Sequence, residues 1–181
     1  MSSELFTFEL VDKLKPEAVI RKCLEQISDE TRGYVVGKIE AYTGPIVSYT
    51  KKVGIGAALS SIQSSETVEV NIQDKLGVQD EEQNRYEVYL SVKGLEHYKY
   101  RIMFVDYGTV SYPARIVMNE ELALEYWGQW KTSFDIHSMD SLEEMMEKIL
   151  HCGTMIRLLQ SLINEALRKE VADAEFMREK N

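Results

Sequence analysis

Chemistry in this chain would have to come from few residues. There are three histidines, His97, His137 and His151, and two cysteines, Cys23 and Cys152. His151 and Cys152 are adjacent, and neighbours on a helix point roughly 100° apart, so the two cannot grip one ion together. The sequence has no Cys-x-x-Cys, no His-Glu-x-x-His and no Gly-x-Ser-x-Gly. Neither a metal site nor an activated nucleophile follows from spacing, and no metal or cofactor is expected. Gly54 and Gly56 follow Lys51 and Lys52, which invites comparison with a phosphate-cradling loop. A third glycine at fingerprint spacing and a Gly-Lys-Ser/Thr ending are both missing, so the reading there is a loop or strand bend.

The elements that would position such groups begin with a helix over 16–28. Pro16 suits its first turn, and Val19, Ile20, Cys23, Leu24 and Ile27 recur on one face. Residues 6–14 fit a strand and a helix equally well. Residues 34–42 are β-branched and aromatic, and Thr43-Gly44-Pro45 then offers a turn into a second extended piece over 46–50. Val68, Val70 and Ile72 alternate with Glu69, Asn71 and Gln73, which predicts a half-buried strand over 66–73. Residues 77–84 read as a polar loop.

Residues 84–118 predict an antiparallel meander with apolar even positions: Tyr86, Val88, Leu90 and Val92, then Tyr98, Tyr100, Ile102 and Phe104, then Val110, Tyr112, Ala114, Ile116 and Met118. If opposed side chains share a face, even pairs with even, and each connecting loop holds an odd number of residues. The first loop is then Lys93–Leu95 or Gly94–Glu96, and the former is preferred because it alone sets Glu87 across from Arg101. Asp106-Tyr107-Gly108 forms the second, with Phe104 opposite Val110 and Ile102 opposite Tyr112. The turn accounts for Asp106, which is assigned no catalytic role. Pro113 argues for an edge strand over 109–118, or for an amide that points outward. One sheet face is then apolar. The other carries Tyr89, His97, Lys99, Arg101 and Arg115, and a small-ligand site would use Tyr89, His97 and Arg101.

Asn119 reads as the N-cap of a short helix ending near Gly128, with Trp127 and Trp130 flanking that end over the edge of the core. Ser141-Leu142-Glu143-Glu144 resembles a capping box, and Leu142, Met145, Ile149, Cys152, Ile156, Leu159, Ile163 and Ala166 follow a heptad. A continuous helix over 141–170 would be about 45 Å long, against a diameter of about 40 Å for a compact domain of this size. It either breaks near His151-Cys152-Gly153-Thr154 or packs its excess stripe against another subunit. Leu142, Met145, Ile149, Ile156, Leu159 and Ile163 are the residues expected to carry self-association.

Composition bounds the function. With 181 residues, 44% hydrophobic, 28% charged, 3 Pro and 10 Gly, the chain suits a single globular α+β domain. The expected architecture is an antiparallel sheet packed by an N-terminal helix and a C-terminal helical segment over 139–170. The N-terminus lacks a basic signal region, and no apolar run approaches a membrane span of about 18 residues. A soluble, cytoplasmic protein with reduced thiols is expected. The formal net charge is −9, and residues 119–147 hold eight carboxylates against Lys131 alone. Such a field repels nucleic acid, so no direct nucleic-acid or membrane binding is expected. The leading expectation is a non-enzymatic interaction protein, a homodimer through its last helix. A ligand-binding protein or enzyme using the mixed sheet face comes second, and an acidic polyanion mimic third.

Overall fold

The computed structural model describes residues 11–46, 84–129 and 131–179. Within them the chain runs α1 (Pro16–Glu30), β1 (Val35–Ala41), β2 (Asn84–Val92), β3 (Leu95–Tyr107), β4 (Ala114–Met118), α2 (Glu120–Trp127), β5 (Ser133–Ile136), α3 (Met139–Leu150) and α4 (Gly153–Glu179). The five strands form one antiparallel sheet in the order β1-β2-β3-β4-β5, and the fold is α+β. The expected strand over 66–73, the glycine pair at 54 and 56, residues 47–50 and Trp130 lie outside the described residues, as does most of the polar loop.

One sheet face packs on helices. Val19, Ile20, Leu24 and Ile27 of α1 are buried, and Leu24 lies so close over β1 that a Cβ on Gly37 would come within 2.8 Å of it. Only glycine admits that approach. Pairing carries this inner face across the sheet through Val35, Ile39, Val88, Leu90, Val92, Met103, Val105, Ala114, Ile116, Met118, Phe134 and Ile136, all buried. From α3, Leu142, Met145, Met146, Ile149 and Leu150 close the core.

The meander forms with a register different from the expected one. Val92 pairs with Leu95, so the β2–β3 connection is the two-residue turn Lys93-Gly94, with Gly94 at φ +79°. The parity rule fails because β3 is bulged twice. Residues 96–99 stand opposite Ser91 alone, and Ile102 is an extra residue between the pairs Tyr89–Arg101 and Val88–Met103. Each bulge changes which parity faces inward. Beyond Ile102 the inner residues are therefore Met103, Val105 and Tyr107, while Phe104 turns to the outer face opposite Glu87.

The second turn is also corrected. β3 continues to Tyr107, so Asp106 is a strand residue paired with Arg115, and Phe104 faces Val117 rather than Val110. Val110 is 73% exposed. Pro113, joined by a cis bond to Tyr112, sits in the 108–113 connection before β4 begins. It therefore takes no ladder position, and β4 is interior, with β1 and β5 outermost among the described residues.

The predicted α2 is present, capped by the Asn119 side chain on the Glu121 amide and closed by Gly128 at φ +68°. The C-terminal segment breaks: α3 ends at Leu150 and α4 starts at Gly153. Ser138, not Ser141, caps α3, accepting from the Ser141 amide at 3.2 Å.

Candidate functional site

Two surfaces compete for a functional role: the outer sheet face and the exposed side of α4. The outer face receives the side chains that the pairing turns away from the helices. Glu87 on β2 is 6% exposed, and its carboxylate lies between Lys99 and Arg101 of β3. Lys99 bonds one oxygen. Arg101 bonds the other through Nε at 3.1 Å and Nη2 at 2.7 Å. Lys99 also reaches Glu40 at 3.8 Å and lies 3.9 Å above the Tyr89 ring. The Arg101 guanidinium sits 4.8 Å from the Phe104 ring centre and 5.5 Å from that of Tyr42, and these two rings are themselves 4.7 Å apart. A second carboxylate, Asp106, is bracketed by Arg85 at 3.4 Å and Arg115 at 2.6 Å.

This lattice neutralises itself. Burial alone would raise the Glu87 carboxyl, but the hydrogen bonds and charges of Lys99 and Arg101 outweigh it and hold the group below the usual carboxylate range. Burial, reinforced by Glu40, pushes the Tyr89 hydroxyl up to about 12. An ionised acid with both oxygens engaged, beside a phenol that keeps its proton, is not poised to move protons at neutral pH. Of the three residues expected to bind a ligand, Tyr89 and Arg101 are opposite each other on this face. His97 is exposed in the bulged stretch and makes no hydrogen bond, ion pair or ring contact among the described residues. The fold thus brings two of the three together and leaves His97 apart.

The six residues expected to associate also divide. Leu142, Met145 and Ile149 are buried within the chain's own core, so they cannot meet another copy. Ile156 is 53% exposed, and Leu159 and Ile163 are half-buried against the core. Burial on α4 is confined to Met155, Leu162 and Ala166. At ~100° per residue these occupy one narrow arc, while Ile156, Ile163, Leu167 and Ala174 fall within an arc of about 40° lying some 100° further round the helix. Val171 flanks the second arc. Leu167 and Val171 are 41% and 59% exposed, and sequence periodicity had merged the two arcs into one wide stripe. Beside them Leu167, Arg168, Val171, Ala172 and Glu175 line a shallow groove of about 400 Å³.

α4 is held at its start by a residue with no sequence signal, Glu125 on α2. Its two oxygens accept the Gly153 and Thr154 amides at 2.7 and 2.9 Å. Cys152 supplies the next acceptors, its Sγ to the Met155 amide at 3.4 Å and its carbonyl to that of Ile156 at 3.0 Å. All four opening amides are thereby satisfied, and hydrogen bonding from Thr154 and Gly153 holds the Glu125 carboxyl below its usual range. Further along, Glu170 binds Lys93 at 2.8 Å and Tyr34 at 3.3 Å, tying the helix to the sheet.

Among the described residues no group of three or more His, Cys, Asp or Glu could hold a metal, and no helix is long and apolar enough to cross a membrane. Burial raises both thiols, Cys23 and Cys152, which disfavours the reactive thiolate. Comparison with protein-family models, curated proteins and solved structures finds no match to this chain.

Proposed function

We propose that this protein is a non-enzymatic interaction module that self-associates through α4. The observation that carries the reading is the second apolar arc of α4, exposed beside a first arc that already serves the core. An arc at helical spacing that its own core covers only at Ile163 suits packing against another helix. Charge supports a second copy as the occupant. The chain carries −9, yet α4 holds four basic residues (Arg157, Arg168, Lys169, Arg178) and five acidic ones (Glu165, Glu170, Asp173, Glu175, Glu179), a net −1. Copies meeting along α4 therefore avoid most of the repulsion that the rest of the chain would impose.

Light scattering and sedimentation on the full chain test this. Dimers are expected at tens of micromolar, and Leu167→Glu combined with Val171→Glu should give monomers with unchanged helix content by circular dichroism. A strictly monomeric unaltered chain at that concentration overturns the proposal.

A further inference from the structure

We infer that two copies pair α4 with α4 in antiparallel orientation, about a two-fold axis level with Ala166, so that Arg157 of each faces Glu175 of the partner subunit. The inference rests on the self-association just proposed and adds its orientation and register.

The argument starts from the side of the helix on which the charges lie. Arg157 and Glu175 are 18 positions apart, which at ~100° per residue returns them to the same azimuth, on the solvent edge of the exposed apolar arc. Neither makes an ion pair among the described residues. Arg157 donates only to Thr154 Oγ1 at 3.1 Å. By contrast Arg168, Lys169 and Glu170 are already paired, with Glu165, Asp173 and Lys93 respectively. Arg157 and Glu175, opposite in sign and without an ion pair among the described residues, thus flank the two ends of one apolar arc, Arg157 sharing a surface hollow with Glu120, Glu121 and Glu125 of α2.

A two-fold axis midway between them lies level with residue 166. Parallel packing would set Arg157 against Arg157 and Glu175 against Glu175, like facing like. Antiparallel packing forms the opposite-sign contact twice, once at each end, as a two-fold interface requires. The same register brings Ile163 and Leu167 of both copies together at the centre. It places each Ile156 level with Phe176 of the partner subunit, just past the end of the shallow groove that Leu167, Val171 and Glu175 line.

Charge reversal decides the matter. Dissociation constants should be measured by sedimentation at low salt, where exposed charges are least screened, for Arg157→Glu, Glu175→Arg and the double variant. Each single change is expected to weaken the dimer about three- to tenfold, since two symmetric contacts turn repulsive. The double variant is expected to return to within about twofold of the unaltered chain. If neither single change alters affinity, or if the double variant stays as weak as the singles or weaker, the antiparallel register is overturned while self-association stands. If the unaltered chain is monomeric throughout, both this inference and the preceding proposal fall.

Discussion

α3 and α4 continue one hydrophobic pattern through a two-residue break, and the fold treats them differently. On α3 Leu142, Met145, Met146, Ile149 and Leu150 are all buried, whereas on α4 only Met155, Leu162 and Ala166 are, with Ile156, Leu167 and Val171 left in solvent. The reason is position. α3 packs on α1 and closes the core, while α4 starts at Gly153, buries Met155, Leu162 and Ala166 in the core, and is tied beside β1 and β2 through Tyr34 and Lys93. A heptad therefore records that a helix has an apolar stripe without recording whether its own domain covers that stripe.

The largest expected effect lies on the α3 side. Leu142→Ala removes a fully buried side chain and should destabilise the fold by about 2–5 kcal/mol, measured by urea unfolding. Leu167→Ala, at a residue 41% exposed, should cost under about 1 kcal/mol while weakening association. Equal stability losses at the two sites would erase the distinction between the helices.

The contrast also marks how far sequence reading reached. The element types of α1, the meander, α2 and the C-terminal helices were legible because their periods are long and clean. For the C-terminal helix the length argument, that a 30-residue rod overshoots a compact body, left a break and packing on another subunit both open, and the break is what the fold shows. The β3 register was not legible. A bulge leaves alternation intact on either side and changes only its phase, so Phe104 and Met103 exchanged faces without altering the pattern that was read. Asp106 followed from the same error. As a presumed turn residue it seemed explained, whereas in the strand it holds Arg85 and Arg115. For the sites, residue type pointed to the face bearing Tyr89 and Arg101 but could not reveal that Glu87 and Lys99 already neutralise it. Half of the proposed association set, Leu142, Met145 and Ile149, lies in the core because α3 packs on α1, which a heptad does not record.

A smaller effect is expected where the two helices meet. The Glu125 carboxylate accepts two α4 amides, and its folded-state pKa is lowered from the ordinary 4.5. The unfolded chain therefore binds its proton first as the pH falls. The stabilisation is fully present above about pH 4.5 and is lost as the pH drops through the lower folded value. Hydrogen exchange should show the Gly153 and Thr154 amides protected at pH 6 and more open in Glu125→Ala, with α3 unchanged. If α3 amides open in parallel, the helices unfold as one unit and the comparison loses its basis.

The smallest effect is expected at the break itself. Gly153 has no left-handed backbone to protect, so alanine there meets no conformational penalty and gains some helix propensity. Against that, the new Cβ would lie 3.2 Å from Glu125 Oε1 and 3.3 Å from Arg157 Nη1. The Arg157 head is flexible and can yield, but Glu125 Oε1 is fixed by the Gly153 amide it accepts at 2.7 Å. Moving it by a few tenths of an ångström lengthens that bond. The two effects oppose each other, and Gly153→Ala should change stability by no more than about 0.5 kcal/mol. A loss well above 1 kcal/mol, read by urea unfolding, would mean that Glu125 cannot shift and that the junction is rigid. A gain near 1 kcal/mol would mean the cap is loose. In that case the separation of α3 from α4 would rest on chain geometry alone, and the Glu125→Ala variant should then leave the Gly153 and Thr154 amides as protected as before.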